Sequence, residues 1–284
     1  MKNNNRNSSI ECLKIIAMLL IVISHMAQSY DTLYSGVLKF ANLNTKIIAM
    51  QILRSLGMLG NDIFFICTSW FLVDSKKIDK KKIMEMIVDV WIVNVVFLLI
   101  FKIGKINVSK KDMIKTFFPN TLSLNWYITC YIIFYIVHPY INKMIEQISK
   151  KELLFISLFM FILYCVANTI KGEIFFISDL IVFITIYTCI AYIKKYMPKI
   201  IKNKKTNTII VIATILTYII VVFLLNILGI RIAFLRNKML HFIKNENPLF
   251  ITLAFSMFNL FRNDNFTNKK INDLSKLTLY IYNS

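Results

Sequence analysis

The chain has 284 residues and a net charge of +19, is 57% hydrophobic and 17% charged, and has a mean hydropathy of +0.62. Those values exclude an ordinary soluble domain, in which about 25% of residues are charged. Only six Gly and four Pro interrupt the Ile, Leu, Phe and Val runs, so these read as helices and not as the short alternating strands of a membrane barrel.

Crossing the hydrocarbon core takes roughly 20 apolar residues. On that length the sequence predicts helices near 10–30, 47–73, 84–103, 122–141, 152–170, 174–193, 208–230 and 246–262, and a ninth starting near 274. The fold class is therefore all-α, a polytopic transmembrane helix bundle of about 8–9 spans. Residues 1–284 read as a single membrane domain whose last helix is incomplete. The polar start, with Lys2 and Arg6, leads into a run long enough to span and is followed by no small-residue cleavage site, so it reads as the first helix and not as a removed signal.

Alternate gaps differ in charge. With the N-terminus in the cytoplasm, 20 basic residues fall in inner segments and 12 in outer ones, the bias expected of an inner or plasma membrane protein in that orientation. Positive charge placed in short gaps points to lipid headgroups as partner, with no nucleic acid. The outer gap 101–120 still carries five lysines; its Ile103, Ile106, Met113, Ile114, Phe117 and Phe118 would suit a segment lying in the interface, or the span count is off by one there. Cys12, Cys67, Cys130, Cys165 and Cys189 all sit in apolar runs without C-x-x-C spacing and read as packing residues.

Polar residues inside the spans are costly and carry most of the information. In "ECLKIIAMLLIVISH", His25 lies eleven positions after Lys14, which returns to the same helical face ~16 Å further on. Glu11 lies one turn before Lys14. Snorkelling of Lys14 beside Glu11 explains that pair without function; a histidine at mid-bilayer needs a partner or a cavity, which favours a functional role. Arg54 and Asp62 share a phase on the second helix, so an internal ion pair is favoured over a role for Arg54 in a donor channel. Ser69 reads first as bonding its own helix backbone. Asn125, Trp126 and Tyr127 open the fourth helix, where an aromatic belt competes with sugar contact. His138, before Pro139, and His241 read as interfacial. Asp31 could orient His25 only if the helix breaks there. No nucleotide, metalloprotease or hydrolase motif occurs, and no metal is implied.

Three stretches, in order, resemble the acyltransferase-3 family of integral-membrane O-acyltransferases. Glu11, Lys14 and His25 match its first-helix pattern of a basic residue, ten residues and a histidine, with Lys where many relatives have Arg. "GNDIFFICTSWFLVDSKK" (60–77) is similar to its second-helix segment, with Ser69 at the serine position, Trp70 in place of a small residue and Asp62 an added charge. "LNWYITCYIIFYIVHPYINKMI" (124–145) matches at Trp126, Tyr131, Pro139 and Asn142. The closing "LSKLTLYIYNS" resembles the approach to the family's final helix and stops before its histidine.

The resemblance implies an O-acetyltransferase that moves acetyl from cytoplasmic acetyl-CoA, a co-substrate, to a hydroxyl of a cell-surface or exported polysaccharide sugar. It makes His25 the catalytic residue and links Lys14 to the coenzyme; beside that, the residues themselves offer Glu11 to orient Lys14, Arg54 to the donor channel, and Ser69, Asn125 and Trp126 to the sugar. Histidine suits removal of the hydroxyl proton, though it could instead carry the acyl group as a nucleophile. Two readings stand beside this one: a non-enzymatic transporter or flippase of lipid-linked glycans, which should show paired Gly- or Pro-broken helices in two halves, and an inactive, shortened relative. A homo-oligomer is compatible with the sequence.

Overall fold

The computed structural model describes residues 7–105, 108–109, 113–114, 116, 126–171, 179–236, 239, 242, 244, 246–264, 266–276 and 278. Its described residues form helices α1 (Ser8–Leu33), α2 (Thr45–Leu72), α3 (Lys80–Ile103), α4 (Trp126–Gln147), α5 (Lys150–Lys171), α6 (Asp179–Tyr196), α7 (Pro198–Lys202), α8 (Lys204–Arg231), α9 (Pro248–Asn263) and α10 (Lys269–Lys276). Six of them, α1 to α5 and α8, are long and apolar enough to cross a membrane. The all-α multi-pass reading therefore holds, while the count of 8–9 spans does not follow from length and composition alone: α9 has 16 residues, and the 18 residues of α6 include Asp179, Lys194 and Lys195. The ninth span read from about 274 falls mostly outside the described residues, as does half of the segment 101–120.

Asparagine sets many of the helix starts. Asn7, Asn44, Asn203 and Asn247 each accept a backbone N–H of the first turn, and Asp79 does the same for α3, so donors that would be orphaned at a helix end are satisfied by local side chains. Ser149 and Glu152 form a reciprocal capping box on α5.

Helix α2 is the centre. It packs along α1 over most of its length and also meets α6, α8 and α9. Gly60 lets the first pair close up: a Cβ there would stand 2.6 Å from the Ala17 carbonyl oxygen and 2.7 Å from Ile21. On its other side Phe65 stacks on Phe183 at 3.9 Å and meets Phe134 edge-on at 5.0 Å, joining α2, α4 and α6 into the main aromatic core. Cys67, Cys130 and Cys165 are buried in this packing. Helices α3 and α8 stand at the periphery and bury narrow stripes, Met86, Val90, Asn94 and Leu98 on the first.

The sequence reading ended α4 near 141 with His138 interfacial; the helix instead runs through Pro139 to Gln147, and His138 is fully buried. Proline removes the N–H that would bond the Tyr135 carbonyl. His138 Nδ1 takes that place, 2.6 Å from Tyr135 O, so the helix continues. One turn on, Asn142 donates to Leu72 O and Ser75 O at the end of α2 and accepts from the Tyr187 hydroxyl.

The short polar helix α10 returns to the start of α1. The Ser8 hydroxyl donates to Asn272 and accepts from the Asn268 N–H, and Ser275 donates to Glu11. We call this the N-terminal side of the bundle, and the side with the α1–α2 connection the far side.

Candidate functional site

A cavity of about 370 Å³ lies in the far half of the bundle, walled by His25, Ser24 and Gln28 of α1, Arg54, Met58 and Asn61 of α2, Trp126 of α4 and Lys244 of the segment before α9. Helical repeat explains the α1 contribution: Ile21, Ser24, His25 and Gln28 recur at three- and four-residue spacing on one face. The opposite face presents Leu19, Val22, Ile23 and Met26, all exposed as expected of side chains that meet lipid. His25 is exposed, and the wall it belongs to is the polar one.

Arg54 is fixed from behind. Its Nη1 donates to Asp31 Oδ2, while Asp31 Oδ1 accepts the Leu38 N–H at 2.8 Å and the Asp31 carbonyl accepts the Gly36 N–H at 2.7 Å. Gly36 makes that turn possible with φ +77°, a conformation that penalises a side chain. The Ser24 hydroxyl donates to the Arg54 carbonyl, tying the cavity wall of α1 to α2. Two expectations are corrected here. The partner of Arg54 is Asp31 and not Asp62, because the chain reverses after α1 and brings Asp31 alongside α2. For the same reason Asp31 serves Arg54 and the turn, and does not orient His25. Asp62 is buried one residue beyond Asn61, and its Oδ2 has no hydrogen-bond partner.

Of the residues singled out in the sequence, His25, Arg54 and Trp126 come together at this cavity. Lys14 and Glu11 do not: they pair with each other at 3.2 Å on the N-terminal side, ~16 Å back along α1. Ser69 is also absent from the cavity wall; it is fully buried, and its hydroxyl makes no hydrogen bond, contrary to the backbone bond expected of it. Next to it Trp70 lies between the Lys194 ammonium, 4.8 Å from its ring, and the Arg262 guanidinium, at 4.4 Å. Asn125 and His241 lie outside the described residues.

Sequence reasoning missed Ser24, Gln28, Asn61 and Lys244. The first two were legible as the i−1 and i+3 neighbours of His25. Asn61 carried only its polarity within an apolar run. Lys244 had no local signal at all, since its place depends on how the segment before α9 folds back. Glu246, 3.7 Å from the Lys244 ammonium, is buried, and that burial pushes its carboxyl above the usual range. Among the described residues no cluster of three or more His, Cys, Asp or Glu could hold a metal.

Chemically, the cavity offers an imidazole, one fixed guanidinium, an ammonium, amide and hydroxyl groups, and an aromatic face. Compared with known proteins, residues 7–284 match the family model of the acyltransferase-3 type, described as an acyltransferase domain. No curated protein and no solved structure matches the chain.

Proposed function

The chain belongs to the acyltransferase-3 family, and on that premise we propose that it is an O-acetyltransferase of the inner or plasma membrane, with its N-terminus in the cytoplasm. It takes acetyl from acetyl-CoA on the N-terminal side and transfers it to a hydroxyl of an exported or cell-surface polysaccharide sugar on the far side. In this reading α6 and α9 also cross, giving eight crossings. The observation that carries it is the position of His25 on the wall of a cavity that also holds Arg54, Asn61 and Trp126.

An alcohol is a poor nucleophile at neutral pH, so the reaction needs a base as the hydroxyl attacks the thioester carbonyl. Neutral His25 accepts that proton while the new C–O bond forms. The tetrahedral oxyanion then collapses, the C–S bond breaks, and the imidazolium returns its proton to the departing thiolate. Arg54 stands on the same wall, where a fixed positive charge stabilises negative charge as it develops. Trp126 supplies an aromatic face for a sugar ring. Lys14, held by Glu11, offers a point charge to the coenzyme's phosphates at the N-terminal side, and the long pantetheine arm would bridge the separation to His25.

The test complements a bacterial strain lacking surface-sugar acetylation and measures ester-linked acetate. Wild type restores acetate, and His25→Ala lowers it by at least about 100-fold, the loss typical of a general base. Lys14→Gln raises the KM for acetyl-CoA more than it lowers kcat. Equal acetate from wild type and His25→Ala removes His25 from the mechanism; acetate from neither rejects this acceptor class.

A further inference from the structure

Two cationic side chains, Arg54 and Lys244, stand on the cavity wall beside His25, and among the described residues none that lines it is a carboxylate. Each cation is held by an acid outside the wall: Asp31 takes Arg54 Nη1, and Glu246 lies 3.7 Å from Lys244. An arginine so anchored has spent one of its five N–H donors and keeps a planar fork suited to a carboxylate or phosphate. A site for an uncharged sugar needs only amides, hydroxyls and an aromatic face, which Asn61, Gln28, Ser24 and Trp126 already provide. The guanidinium and ammonium exceed that need.

We infer that the acceptor is anionic: a sugar bearing a carboxylate or phosphate close to the hydroxyl that is acylated, with Arg54 as the specificity-determining contact. This rests on the reading of the cavity as the acceptor site. It gives Arg54 the acceptor's anion to hold as well as the charge that develops at the reacting carbonyl, in place of the coenzyme, because Arg54 shares a wall with His25 and not with Lys14. Held by its oxyanion, the acceptor presents its hydroxyl at a fixed distance from the imidazole, and Asp31 is the positioning residue that keeps the fork in place.

The experiment measures binding, so that it stays separate from turnover. Full-length protein in phosphatidylcholine nanodiscs is titrated with trigalacturonic acid, with the neutral galactose trisaccharide of the same linkage, and with galactose 6-phosphate. The charged probes are expected to bind at least about tenfold tighter than the neutral one, the scale of one hydrogen bond to a charged group. Arg54→Gln, checked for folding by its thermal transition, should bring charged and neutral probes to within about threefold; Arg54→Lys should keep part of the preference. His25→Ala, expected to lower acetyl transfer, should keep the charge preference, which separates this inference from the catalytic one. Equal binding of charged and neutral probes, binding of neither, or an unchanged preference in Arg54→Gln overturns the inference. Discs containing phosphatidylglycerol form the last arm: if that lipid displaces the charged trisaccharide, the oxyanion is a lipid headgroup, and the glycan assignment falls.

Discussion

At the N-terminal end of the α1–α2 pair, Lys14 finds its carboxylate one turn away on its own helix; at the far end, Arg54 finds its carboxylate on another helix, 23 residues earlier in the chain. The exposures differ in the same sense: 28% and 11% for the side chains of Lys14 and Glu11, against 18% and 5% for Arg54 and Asp31. A local pair with a buried carboxylate and a half-buried lysine keeps part of its solvation through the lysine. A long-range, nearly closed pair holds a chain reversal together, and neither partner can be removed cheaply. The far pair should therefore dominate stability, while the near pair stays adjustable for a ligand.

The largest effect should come from breaking the far pair. Asp31→Asn leaves the Arg54 charge without its counter-ion and should cost about 3–5 kcal/mol, the range for a broken buried pair, seen as a lowered midpoint of unfolding in detergent. Asp31→Asn combined with Arg54→Gln should regain much of that loss. A double variant no more stable than Asp31→Asn would mean that the cost comes from the Leu38 turn and not from the charge.

Next comes the contact that holds the two ends in register. Gly60→Ala puts a methyl group 2.6 Å from the Ala17 carbonyl oxygen, backbone that can yield only by parting the helices, and should cost about 1–3 kcal/mol. Gly57→Ala meets the Ser24 hydroxyl at 2.6 Å and the Ser24 Cβ at 2.7 Å; the hydroxyl can rotate, but the Cβ moves only with the α1 backbone, so the cost should be similar and should include loss of the Ser24 bond to Arg54 O. A much smaller loss in Gly57→Ala than in Gly60→Ala would show that α1 yields more easily at Ser24 than at Ala17.

The near pair ranks below both. Glu11→Gln removes the ion pair with Lys14 yet can still accept from Ser275, so the expected loss is about 0.5–1 kcal/mol. A loss as large as that of Asp31→Asn would erase the contrast between the ends.

The same contrast marks what the sequence could disclose. Helix content, the polar line from Glu11 through Lys14 to His25, and the family resemblance were readable because each depends on neighbours three, four or eleven residues apart. The Arg54 partner was misassigned to Asp62 by the same local reasoning: helical phase favours a residue on the same helix, and nothing local announces that the Gly36 turn swings Asp31 back. Likewise Pro139 read as a helix end because the compensating bond from His138 to Tyr135 O is a side-chain solution to a backbone deficit. Lys244 became visible as a cavity residue only once the chain before α9 was placed.

The smallest expected effect tests whether the far end is crowded with acid. Glu246 lies outside the spans, and burial raises its carboxyl above the usual range, with Lys244 offsetting this in part. A raised folded-state value means that the folded protein binds more protons than the unfolded chain between the two titrations, so stability falls as pH rises through that window. The contribution is fully present below the ordinary glutamate value and is lost once pH passes the raised one. Glu246→Gln removes the titration, so its unfolding midpoint should depend less on pH across the window, and it should equal or exceed wild type above it. A steeper fall with rising pH in Glu246→Gln than in wild type would mean that the Lys244 partnership outweighs burial, and the far end would then resemble the near one.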